Sequence, residues 1–73
     1  MSLRIVDMRD TVAAYARSDM RMSRAAKELH LSRRAVEERL RRIRNETGRD
    51  PRRFFDLVAL LERWKNLGQE DAR

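Results

Sequence analysis

The stretch Ser23-Arg24-Ala25-Ala26-Lys27-Glu28-Leu29-His30-Leu31-Ser32-Arg33-Arg34-Ala35-Val36-Glu37-Glu38-Arg39-Leu40-Arg41-Arg42-Ile43 decides the fold of this 73-residue chain. It reads as two helices with a turn of only His30 and Leu31 between them. Ser23 is expected to N-cap the first, its hydroxyl accepting from an orphan backbone N–H, with Ala25, Ala26 and Leu29 on the inner face. Ser32 is expected to N-cap the second, which runs to about Glu46. Val36, Leu40 and Ile43 fall at i, i+4 and i+7, a narrow apolar stripe on an otherwise charged helix. Two short helices joined this tightly, the second one basic, describe a helix-turn-helix over about residues 22–47. Ala26 lies where the helices cross closely and a small side chain is required. Leu29, Leu31, Val36 and Leu40 fill the wedge behind them. His30 holds the turn, where positive φ is expected and His tolerates it better than most residues other than glycine.

Outward from this unit the pattern stays helical. Upstream, Ile5, Met8, Val12 and Tyr15 recur at spacings of three, four and three, placing them on one face of a helix from about Leu3 to Arg17. Asp7 and Asp10 sit in its early turns, where carboxylates suit the helix dipole, and Ser18 and Asp19 mark its end. Downstream, Gly48 fits the left-handed position beyond a helix end. Asp50 and Pro51 read as an N-cap followed by proline at the first helical position, opening a last helix over about residues 51–67. Phe54, Leu57, Val58, Leu60, Leu61, Trp64 and Leu67 cover about half of that helix's circumference, with Gly68 beyond and residues 69–73 expected to be solvated. No stretch alternates as a strand would. The expected fold is an all-α, four-helix domain spanning residues 1–73.

Composition narrows the function. Bases number 18 against 12 acids, a net charge of +6, and 16 of the bases are Arg. Residues 21–53 carry 11 Arg and one Lys against five acids, a net of +7, so the excess belongs to the helix-turn-helix region. Such a field attracts polyanions. With no Cys, disulfides and Cys-based zinc sites are excluded. The longest apolar run, Leu57 to Leu61, is far short of the about 20 residues of a membrane span, and no signal-peptide stretch opens the chain. These features point to the cytoplasm. His30 is the only histidine and lacks a partner at metal-ligand spacing. Glu37 and Glu38 splay about 100° apart on a helix and do not form an acid/base pair. No phosphate-cradling glycine loop or nucleophile–histidine arrangement is present. No enzyme activity, cofactor, metal or small-molecule site is expected.

The run from Ala25 to Ile43, followed by Thr47-Gly48, resembles the C-terminal helix-turn-helix of the PucR/CdaR family of bacterial transcription regulators. The residues that carry the likeness are Ala25-Ala26, Leu29-His30, Arg39-Leu40-Arg41-Arg42-Ile43 and Thr47-Gly48. The likeness covers about residues 22–64, taking in the Asp50-Pro51 step and the apolar last helix. The chain is similar, more loosely, to the DNA-binding end of Fis. The PucR resemblance implies sequence-specific binding of double-stranded DNA by a bacterial, nucleoid-associated regulator, with a recognition helix at about 32–46 in the major groove. Glu37 and Glu38 depart from the family, which usually carries a basic and an aromatic residue there. The family's large upstream sensory region has no counterpart in these residues, so no effector site is expected within them.

With Val36 directed inward, Ser32, Arg33, Arg34, Glu37, Glu38 and Arg41 are the candidates for the groove. Arg pairs bidentately with guanine, and a carboxylate accepts from the cytosine amino group. A competing role for the two glutamates is to hold neighbouring arginines through i, i+4 pairs such as Arg34–Glu38 and Glu37–Arg41. Arg21, Ser23, Arg24, Arg44, Arg52 and Arg53 are the phosphate candidates. A chain this short gains only about 3–5 kcal/mol from its own core, so a homodimer is expected, joined through residues near Phe55, Leu60, Trp64 and Leu67. The alternative is a protein-interaction module that uses the same fold to contact RNA polymerase or another protein.

Overall fold

The computed structural model describes residues 3–65, which form four helices and no strand: α1 (Ile5–Arg17), α2 (Met22–Leu29), α3 (Arg33–Thr47) and α4 (Phe54–Trp64). Leu67 and Gly68, with the expected last turn of the fourth helix and the tail at 69–73, lie outside the described residues.

Helix α1 is the hub. It lies against α2, α3 and α4, whereas the backbone of α4 approaches no helix but α1. Val12 and Ala13 line one depression together with Leu60, Leu61 and Trp64, and Ala16 lines another with Phe54 and Leu57, so α1 and α4 run antiparallel. Met8, Val12 and Tyr15 supply the buried face of α1. Ile5, placed by its spacing on that face, is instead 53% exposed at the first residue of the helix. From the other helices the core receives Ala25 and Ala26, then Val36, Leu40 and Ile43, then Leu57, Leu60 and Trp64. Each fully buried aliphatic side chain contributes about 1.5–3 kcal/mol relative to exposure.

Polar contacts fasten the hub. Thr11, fully buried, donates from Oγ1 to the Asp7 carbonyl at 2.7 Å and accepts from Arg39 Nη1 at 3.3 Å, joining α3 to α1. Arg17 pairs with Glu28, joining α1 to α2. The spacing alone gave no hint that Arg39 and Arg17 are structural.

The turns follow the expected chemistry in three places and depart from it in two. His30 is left-handed at φ 58°. It ends α2 with Leu31 N–H donating to the Ala26 carbonyl at 2.9 Å, the six-to-one bond of a Schellman turn. Ser32 caps α3, its Oγ accepting from Ala35 N–H at 3.0 Å, and Gly48 closes that helix at φ 79°. Ser23, however, is not an N-cap. Helix α2 starts one residue earlier, from an extended Arg21 with no side-chain cap. The reason lies upstream: Asp19 and Met20 are both left-handed, and Met20 N–H donates to the Tyr15 carbonyl at 2.8 Å, so the chain has already reversed when it reaches Arg21.

Asp50 and Pro51 do not open α4 either. Asp50 Oδ1 accepts from Arg52 N–H at 3.0 Å, and the Asp50 carbonyl accepts from Arg53 N–H at 2.9 Å, closing a separate turn. Arg53 is then extended at φ −102° and ψ 132° and α4 begins at Phe54. Pro51 is fully buried beneath this turn. Asp56 fixes it from the helix side, accepting from Asp50 N–H at 3.1 Å and from Arg49 Nη1 at 3.3 Å.

Candidate nucleic-acid interface

The Schellman turn at His30 and the Ser32 cap set the direction of α3. With Val36, Leu40 and Ile43 turned into the core, Arg34, Glu37, Glu38, Arg41 and Arg44 are exposed. The candidates Ser32 and Arg33 are exposed at its start, and Ser23 and Arg24 at the start of α2. Arg21, which precedes α2, is exposed as well.

Arg34, Glu37, Glu38 and Arg41 surround a shallow depression of about 260 Å³ on the outward face of α3. Its fifth wall is Arg52, from the turn before α4. Arg52 is a phosphate candidate that lies outside α3 in the chain. The Asp50–Arg53 turn carries it onto the same face as Arg34. A neighbouring depression, bounded by Arg41, Arg44, Arg52 and Arg53 with Glu37, Asp50 and Leu40, continues this surface along the helix. The basic surface is therefore composite, built from α3 and a turn that follows it.

Three acids border this surface: Glu37 and Glu38 are paired with arginine side chains, and Asp50 Oδ1 accepts from Arg52 N–H. Arg33 Nε stands 3.5 Å from Glu37 Oε2, and Arg41 Nη2 stands 2.8 Å from Glu38 Oε2. These are not the Arg34–Glu38 and Glu37–Arg41 pairs that spacing suggested. The different choice leaves the guanidinium groups of Arg34 and Arg52 without a carboxylate partner among the described residues. Glu37 and Glu38 thus each hold one arginine and offset its charge, while Arg34 and Arg52 stay available in the walls of the depression.

The dimer candidates divide differently. Leu60 is fully buried and Trp64 is 7% exposed, both in the core of the single chain. Phe55 is 83% exposed. Leu67 lies outside the described residues.

The family model for the PucR C-terminal helix-turn-helix domain matches residues 8–61. The chain belongs to this family. The match begins in α1, upstream of the likeness carried by residues 22–64, in keeping with the role of α1 as the hub of the core. Neither a curated protein nor a solved structure matches the chain. Membership in the PucR-type helix-turn-helix family suggests a DNA-binding transcription regulator, and domains of this kind are generally not enzymes. In this PucR-type domain no described helix is long and apolar enough to cross a membrane. Among the described residues no group of three or more His, Cys, Asp or Glu could hold a metal ion.

Proposed function

We propose that residues 1–73 act as one sequence-specific DNA-binding domain of a bacterial, cytoplasmic and nucleoid-associated transcription regulator. In this reading α3 enters the major groove, and two copies meet inverted half-sites about one helical turn, roughly 34 Å, apart. The observation that carries the reading is the composite depression on α3, with Arg34 and Arg52 in its walls without a carboxylate partner among the described residues and Arg44 and Arg53 extending it. Arg34 projects from the first turn of α3, the part of a recognition helix that approaches base edges, and serves as the principal guanine reader. Arg33 and Arg41 reach bases from within their ion pairs, and Glu37 and Glu38 hold them in place or accept from cytosine. Ser32 lies at the same end. Arg21, Ser23, Arg24, Arg44, Arg52 and Arg53 meet phosphates, with Arg52 close enough to Arg34 to fix its approach.

The test is a fluorescence anisotropy titration of labelled duplex DNA at several salt concentrations. Counterion release gives a slope of log K against log salt near −0.9 per neutralised phosphate, so about four to six contacts weaken binding roughly a hundredfold or more between 50 and 200 mM salt. Binding that does not respond to salt, or no binding at all, would overturn the proposal and favour a protein partner for this face.

A further inference from the structure

Sixteen arginines are spread through this chain, yet one surface has none in its lining. It is a groove of about 320 Å³ between the end of α1 and the start of α4, walled by Ala16, Met20, Phe54, Leu57, Val58 and Leu61, with Asp19 at its lip. Its walls are more exposed than a core tolerates: Phe54 is 61% and Val58 40% in solvent. Beside it stands Phe55, its ring in edge contact with that of Phe54, the centroids 5.4 Å apart. An apolar groove edged by a carboxylate repels phosphate, so its occupant is apolar.

We infer that this groove receives Phe55 of a second copy, and that the second copy's groove receives Phe55 in return. Knob and hole lie side by side on one face, which is the self-complementarity a two-fold interface requires. The placement also suits two DNA-bound copies. Phe54 and Phe55 directly follow the Arg52-Arg53 turn that borders the outward face of α3, so the patch lies next to the DNA-facing surface in the chain and outside it.

The size of the patch sets its strength. An aromatic side chain carries about 150–250 Å², so the exposed parts of Phe54 and Phe55 present roughly 300 Å² per copy. A stable complex covers about 800 Å² per partner. The contact is therefore weak between free copies and becomes effective when DNA holds two of them close together, where the second binding event is intramolecular.

This inference rests on the DNA-binding reading for its consequence, but its test does not need DNA. Sedimentation equilibrium of the full chain is expected to show a reversible monomer–dimer exchange at about 0.1–1 mM, as suits so small an area. Phe55→Ala is expected to weaken that association at least tenfold. Phe55 is 83% exposed, so the variant keeps its helical circular dichroism and its affinity for a mixed-sequence duplex of about 12 base pairs, which has room for one copy. A chain that stays monomeric at about 1 mM, or a dimer that survives Phe55→Ala, would overturn the inference. So would loss of short-duplex binding in Phe55→Ala, because the ring would then belong to the DNA surface. A chain that dimerises but binds no duplex would instead refute the DNA-binding proposal and leave this one standing.

Discussion

Replacing Glu37 and Glu38 together by glutamine is expected to strengthen binding to random DNA and steepen its salt dependence. In the structure Glu37 pairs with Arg33 and Glu38 with Arg41, so the substitutions release two guanidinium groups on the exposed face of α3. If both then meet phosphate, the slope of log K against log salt becomes steeper by about 1.8. Over a fourfold rise in salt each new contact adds a factor of about 3.5, so the loss of affinity between 50 and 200 mM deepens roughly twelvefold. The effect on folding is small, since exposed pairs of this spacing contribute only about 0.2–0.5 kcal/mol each. Anisotropy titrations on a random duplex, run beside the unaltered chain over that salt range, measure the change. An unchanged slope would refute the reasoning, showing either that the glutamates do not restrain these arginines or that this face of α3 does not meet DNA. On a duplex selected for tight binding the same variant separates the two roles of the acids: affinity that falls while random binding rises marks a carboxylate reading cytosine.

The remaining predictions concern the fold. His30→Gly is expected to raise stability in chemical denaturation by about 0.5–1 kcal/mol, because the relief of a left-handed non-glycine residue outweighs the added freedom of the unfolded chain; a loss of stability would contradict the turn at φ 58°. Leu40→Ala opens a cavity at a position 1% exposed. At about 2–5 kcal/mol, against about 3–5 kcal/mol for the whole domain, it is expected to abolish most of the helical circular dichroism at 25 °C. Thr11→Val removes the hydroxyl that links Arg39 to the Asp7 carbonyl. It is expected to cost about 1–2 kcal/mol in the same denaturation assay while leaving the salt slope of DNA binding unchanged.

The central unit was legible because its signals are local. The stripe of Val36, Leu40 and Ile43, the Ser32 cap, the left-handed His30 and Gly48 at the end of α3 each depend on residues within about one or two helical turns. The start of α4 was not legible for the opposite reason. Asp50-Pro51 satisfies the local rule for a helix start, but the Asp56 carboxylate, six residues on, accepts from Asp50 N–H, and Pro51 is pinned in the core. The same limit applies to the wide apolar arc of α4. It covers about half of the helix, and periodicity could not say which part faces α1. The core takes Leu57, Leu60 and Trp64 and leaves Phe54 and Val58 of the arc exposed, with Phe55 beside them. In the candidate interface, helix geometry identified the outward residues of α3. The pairing of its acids and the arrival of Arg52 depend on side-chain choices and a turn outside the helix.

The most direct test of the account compares Arg34→Ala with Arg24→Ala on two duplexes, one selected from genomic fragments for tight binding and one random. Both positions are exposed, and alanine is a strong helix former at each, so folding is preserved. Arg34→Ala is expected to cost about 1–3 kcal/mol on the selected duplex and much less on the random one. Arg24→Ala is expected to weaken both by a similar factor and to make the salt slope shallower by about one unit. If Arg34→Ala lowers selected and random binding in equal proportion, Arg34 is a phosphate ligand and the recognition surface assigned to α3 is wrong.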